Sequence, residues 1–128
     1  MPILIVYGIP TETDKGTLEI FSELMRNRAA DIEELGITKE QVSIFFPSDL
    51  MAQGLGEEII IFVEGLVFEN PDGASKINKK IVTNLVDEAH QSFPKTRVIE
   101  CIVRPLNAKQ SFCSAKLQQD GTFWGDCG

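Results

Sequence analysis

The chain has 128 residues, and 12 basic against 19 acidic side chains leave a formal charge of −7; an acidic surface repels phosphate backbones and argues against a nucleic-acid partner. Hydrophobic residues make up 43% of the chain, which suits one globular domain spanning residues 1–128 rather than a disordered tail. Apolar runs such as Ile59 to Val63 are far short of the roughly 20 residues that cross a bilayer, so no membrane partner is expected.

Pro2 to Tyr7 is apolar and β-branched and reads as a buried strand, ended by Gly8, Ile9 and Pro10. Thr11 and Asp14 resemble a capping box. Leu18, Phe21, Leu24, Met25, Ile32 and Leu35 recur at helical spacing, and Gly36 sits where a C-cap glycine belongs. The pattern predicts an amphipathic helix from about Asp14 to about Leu35. Val42 to Phe46 is a second strand, closed by Pro47.

The order then repeats. Ile59 to Phe68 reads as a strand, and Asn70, Pro71, Asp72 and Gly73 as a turn. Ile77, Ile81, Leu85 and Ala89 line one helix face, and Pro94 ends that helix. Val98 to Val103 is a strand stopped by Pro105. Pro2 and Val42 lie 40 positions apart, Ile59 and Val98 lie 39 apart. The chain therefore reads as two β-α-β units of nearly equal length. Each unit joins parallel strands by a right-handed crossover, which predicts an α+β fold: a four-stranded sheet with both helices on one face. In the tail, Ser111 to Leu117 and Thr122-Phe123-Trp124 flank Asp120-Gly121, a hairpin signal. The strands are apolar on both parities, as at Leu4 and Val6 against Ile3 and Ile5. With helices for one face only, the other must meet a further copy of the chain.

Few residues offer chemistry. The single histidine, His90, and the lack of a Cys-x-x-Cys pair leave no usual zinc site. There is no P-loop, dinucleotide fingerprint or Gly-x-Ser-x-Gly. Neither a metal nor a cofactor is expected. Three cysteines at wide spacing, Cys101, Cys113 and Cys127, suit inert thiols in a reducing compartment. No basic segment precedes Ile3, as a secretory signal would require, and the expected location is the cytoplasm. Pro2 follows the initiator methionine. Removal of Met1 exposes a secondary amine, and burial lowers its pKa from an α-amino value of about 7.7–8.0. Such an amine is a candidate general base. The alternative is that Pro2 simply opens an edge strand.

Pro2 after Met1, two β-α-β units, Ser48-Asp49-Leu50-Met51-Ala52-x-Gly54 after the second strand and a C-terminal hairpin together resemble the tautomerase superfamily. That family includes 4-oxalocrotonate tautomerase and macrophage migration inhibitory factor (MIF). The run Phe62 to Phe68, with Pro47-Ser48 before it and Pro105-Leu106 after it, resembles a bacterial branch of it more closely still. The resemblance implies a tautomerase/MIF-like homotrimer, an isomerase with an N-terminal proline base, and a pocket at each subunit boundary. Its ligand would be a small keto acid or aromatic enol.

Carried over residue by residue, the resemblance places Ser43 where 4-oxalocrotonate tautomerase has its second-strand arginine, and Lys39 near a pocket lysine of the cytokine. Ile99 and Cys101 fall near its pocket tyrosine and asparagine. Phe68 falls near an apolar pocket residue. Arg104, ending the fourth strand, can replace a missing carboxylate anchor through a bidentate contact. Glu64 interrupts an apolar strand, and a buried carboxylate must be paired or protonated. Its roles are to position water or protonate an intermediate, or to pair with a basic group across a subunit interface. Glu100 poses the same question, and Tyr7 can donate to an enolate oxygen. Three readings stay open: a tautomerase using Pro2, with Lys39, Ser43, Glu64, Phe68, Cys101 and Arg104 around the substrate; a non-catalytic trimeric ligand-binding or scaffold protein; and a ferredoxin-like regulatory module.

Overall fold

The computed structural model describes residues 2–48, 58–67, 71–106, 113–117 and 123–127. Strand β1 (Ile3–Tyr7) leads into helix α1 (Lys15–Ala30), and 3-10 turns at Glu33–Leu35 and Lys39–Gln41 precede β2 (Ser43–Phe45). The second unit is β3 (Glu58–Val67), α2 (Pro71–Ser92) and β4 (Val98–Leu106), followed by β5 (Cys113–Leu117) and β6 (Phe123–Cys127). The sheet order is β2-β1-β3-β4, with β5 and β6 forming a separate antiparallel hairpin. β1 pairs parallel with β2, and β3 pairs parallel with β4. The units join through the antiparallel β1–β3 ladder. Because β1 and β2 are direct neighbours, no strand is inserted between them and the split arrangement of a ferredoxin-like module does not form.

Strand alternation sorts the side chains between two faces. Leu4 and Val6 of β1 and Ile59, Ile61 and Val63 of β3 are buried beneath the helices. They meet Phe21, Met25 and Ala29 of α1 and Ile81, Leu85 and Ala89 of α2 in one core. Each large apolar side chain removed from water contributes roughly 1.5–3 kcal/mol. The helices also hold each other. Arg28 Nε donates to the Asn84 carbonyl at 3.2 Å, and Asn84 Nδ2 donates to the Arg28 carbonyl at 3.1 Å. Arg28 further pairs with Asp87 at 2.6 Å. No helix among the described residues is long and apolar enough to cross a membrane.

Several boundaries differ from those the sequence suggests. Helix α1 stops at Ala30, not near Leu35, because Ile32 takes an extended conformation and is buried in the core. Gly36, at φ 59°, caps the short turn rather than the long helix. The N-cap of α1 is Asp14, which accepts a hydrogen bond from the Thr17 hydroxyl, and the capping box lies at Thr38 and Gln41. Pro71 opens α2 instead of belonging to a turn; its fixed φ suits a first helical position and its missing N–H is no loss there. β4 continues through Pro105 to Leu106. It is an edge strand, and its register against β3 shifts between Glu64 and Val67, so a residue without an N–H is tolerated. Gly65, at φ 82°, lies within that irregularity. It resets the alternation so that Leu66 is again buried and Val67 exposed.

Gly8 allows a close backbone approach to β3. Its φ is 88°, and a Cβ there would stand 2.0 Å from the Glu58 carbonyl oxygen. Gly36 also has positive φ, but a Cβ there would meet nothing within 4 Å. Gly8→Ala is therefore expected to cost more than about 2 kcal/mol and Gly36→Ala only about 1 kcal/mol. Urea denaturation midpoints compare the two; equal shifts would refute the close approach.

Candidate functional site

The antiparallel and parallel registers align one row across all four strands. Ser43 of β2 pairs with Ile3 of β1, Ile3 with Glu64 of β3, and Glu64 with Arg104 of β4. Neighbouring strands lie about 4.8 Å apart, so the row spans roughly 15 Å. Pro2 precedes Ile3 at one end of β1 and is buried, and its carbonyl accepts a hydrogen bond from the Ser43 N–H at 3.2 Å. Ser43, Glu64 and Arg104 therefore share one row at one end of the sheet on the face opposite the helices, while Pro2, one residue before Ile3, has the parity of the core residues Leu4 and Val6.

Glu64 and Arg104 form an ion pair and hydrogen bond within one chain. The Arg104 guanidinium carbon lies 4.3 Å above the centre of the Phe62 ring, a cation–π arrangement. Phe62 also packs edge-to-face against Tyr7, with ring centres 5.9 Å apart. The sequence reading did not single out Phe62, although its period-two spacing from Glu64 puts both on one face. That face carries Ile3, Ile5, Tyr7, Phe45, Ile60 and Ile102 as well. Phe45 is 56% exposed and Ile102 41%, high for apolar strand residues.

The remaining candidates lie elsewhere. Cys101 pairs with Ile61 and packs on the helix-covered core, away from the Glu64–Arg104 row. Ile99, its period-two neighbour, shares that face. Burial pushes the Cys101 thiol up to about 12, because a thiolate there would lose its hydration. Lys39 lies in the turn before β2 and donates to Glu23 of α1. The Lys39 hydrogen bond holds the Glu23 carboxyl below its ordinary value, and the same contact raises Lys39. Arg26 binds the other Glu23 oxygen at 2.9 Å. Glu100 is on the open face, opposite Ile60. Phe68 and most of the Ser48–Gly54 stretch lie outside the described residues. Two surface clefts, one along α2 beside Val103 and one on α1 around Ile20 and Leu24, include neither Pro2 nor the row. Among the described residues, no group of acidic, histidine or cysteine side chains is arranged to hold a metal ion.

A mixed four-stranded sheet of two β-α-β units defines an α+β fold that solved structures share. The chain shares its fold with solved structures of 4-OT, macrophage migration inhibitory factor and the cis-3-chloroacrylic acid dehalogenase family. It superposes on a fused 4-OT described as an asymmetric trimer with a TM-score of 0.69 and 14% identity, covering 86% of this chain and 89% of that one. Macrophage migration inhibitory factor of Toxoplasma gondii gives 0.64 and 13%, covering 86% and 94%. N1, a member of the cis-3-chloroacrylic acid dehalogenase family, gives 0.63 and 10%, covering 98% and 85%. No family model and no curated protein matches the sequence.

The raised Cys101 value has a direct consequence. At pH 8.5 iodoacetamide should label Cys101 in the native protein at least about 100-fold more slowly than in the urea-unfolded chain, because the thiolate is the nucleophile. Peptide mass spectrometry reads the site; comparable rates would mean that the thiol is not buried as described.

Proposed function

We propose that the chain is a tautomerase-like homotrimer in which Pro2, freed by removal of Met1, is the general base for keto-enol isomerisation of a small carbonyl compound. The supporting observation is a buried Pro2 next to the row Ser43, Ile3, Glu64 and Arg104. Burial disfavours the ammonium form, so the secondary amine is neutral near pH 7. Its lone pair accepts the enol O–H or α-carbon proton, and the resulting ammonium returns a proton at the other position. The substrate is neither oxidised nor reduced. Arg104 is the group best placed to polarise the carbonyl oxygen of the substrate. Lys39 and Ser43 are more distant supports, and Cys101 sits behind the sheet. Phe68 belongs to the proposed pocket by resemblance alone.

A second reading is a non-catalytic trimeric ligand-binding or scaffold protein. It is favoured by the fact that Lys39 and Arg104 are each bound to a carboxylate of the chain itself. The two readings separate on the Pro2 nitrogen. The enzyme reading expects the intact mass of the natural protein to be lower than the full sequence by one methionine residue. It also expects ketonisation of phenylenolpyruvate or its methyl ester above the buffer rate. Adding one residue ahead of Pro2 turns the amine into an amide and should abolish that rate. Retention of Met1, or an undiminished rate in the blocked form, would remove Pro2 as the base.

The trimer rests on the apolar open face and on the likeness to a fused 4-OT described as a trimer. Sedimentation equilibrium should give three times the 14.2 kDa chain mass. Phe45→Asp combined with Ile102→Asp should lower that mass, since each charge would have to be buried at the interface. A wild-type mass of a single chain would rule the assembly out.

A further inference from the structure

We propose that Glu64 sets substrate charge: by occupying Arg104 it turns the Pro2 end of the sheet toward uncharged enolisable carbonyl compounds, esters and ketones, and away from free carboxylates. This rests on the proton-transfer reading of Pro2 and names the substrate class for it. The Arg104 guanidinium already donates to the Glu64 carboxylate and stacks on Phe62 at 4.3 Å. An incoming carboxylate must displace Glu64, or share Arg104 beside a like charge. The first costs a charge-assisted hydrogen bond and leaves Glu64 without its partner on a half-buried strand. The second sets two carboxylates side by side on one guanidinium, where their like charges oppose each other.

Lys39 gives no alternative anchor in its present position, because Glu23 holds it against α1. The surroundings point the same way. On the same face of β4 as Arg104, Glu100 adds a further acid. The whole chain adds a formal charge of −7, a field that slows the approach of anions. An uncharged substrate meets none of these costs. Its carbonyl oxygen can accept one of the remaining guanidinium N–H groups, and its apolar body can lie along Phe62 and Ile3. A substrate hydroxyl can donate to Glu64.

The experiment has two arms. In the first, ketonisation of phenylenolpyruvate is compared with that of its methyl ester. Wild-type protein with a free Pro2 should favour the ester in kcat/KM by roughly tenfold or more. Glu64→Gln, which keeps the side-chain shape and removes the charge, should raise kcat/KM for the acid relative to the ester by roughly tenfold. Glu64→Asp, which keeps a carboxylate, should retain the wild-type order. A wild-type preference for the acid, or no gain for the acid relative to the ester in Glu64→Gln, would overturn the proposal while leaving Pro2 catalysis standing.

The second arm does not depend on turnover. Benzoate and methyl benzoate are titrated while the 15N–1H signal of Arg104 Nε is followed. Benzoate should produce a saturable shift in Glu64→Gln and none in wild type at the same concentrations. A wild-type shift of equal size and affinity would overturn the proposal. If neither substrate is turned over but benzoate behaves as expected, the proton-transfer reading fails and the charge selectivity of the site stands by itself.

Discussion

Helices cover one face of the sheet, while its strands carry apolar side chains on both. A layer built that way has a single finished interior. On the helix side, Leu4, Val6, Ile59, Ile61 and Val63 disappear beneath Phe21, Met25, Ile81 and Leu85. On the other side Ile3, Ile5, Phe45, Phe62 and Ile102 have no helix above them. The cost of leaving such a surface in water is proportional to its apolar area. The proposed trimer relieves it by turning the open faces toward one another. The ladder between β1 and β3 is what makes this face continuous, since it joins two β-α-β units that would otherwise be separate half-sheets.

Register carries the constraint from the core to the candidate site. A shift of one residue in the β1–β3 ladder would send Leu4 and Val6 to the open face and bring Ile3, Ile5 and Tyr7 under the helices. The same shift would take Glu64 out of line with Ile3. Burial of the core residues therefore fixes the row Ser43, Ile3, Glu64, Arg104 without any site-specific device. The row stops where the alternation is reset at Gly65, and Pro105 follows Arg104 on the edge strand. The proposed chemistry is thus located at the point where regular pairing ends and backbone conformation departs from the ladder.

Most of the fold was legible because both of its repeating signals are local. Alternating apolar residues marked the strands, and the four-residue spacing of Ile77, Ile81, Leu85 and Ala89 marked α2. The near-equal spacing of the units gave the parallel pairs. Helix α1 was read too long because Ile32 and Leu35 continue a helical stripe, whereas the chain delivers them to the core through an extended residue and a 3-10 turn. Pro71 was read as a turn because proline at a helix start and proline in a turn share the same φ. The site was less legible. Glu64 stood out as a charge in an apolar strand, but its partner lies 40 residues away and depends on the β3–β4 register. Cys101 was placed near the ligand by alignment to a resemblance; strand parity puts it on the core side.

The Glu64–Arg104 pair is difficult to explain as a stabilising device. Glu64 is partly buried and Arg104 is more than half exposed, and such surface ion pairs contribute about 0–1 kcal/mol after side-chain entropy and screening. An apolar residue at position 64 would extend the apolar run from Ile59 and cost no desolvation of a carboxylate. The carboxylate instead changes what Arg104 presents. A lone guanidinium on this face would be an anion site with five N–H donors; paired with Glu64 it becomes a neutral unit with some donors still available. The same substitution of roles is seen at Lys39 and Glu23, where the ammonium is again met by a carboxylate of the chain. Arg104 and Lys39 are thus each met by an acid of the chain, Glu23 being shared between Lys39 and Arg26. In the proposed site, neutrality of the Glu64–Arg104 pair would favour a molecule that lies against Phe62 and Ile3 without stripping water from an ion, and this is where it departs furthest from the carboxylate-holding pocket that the resemblance implies.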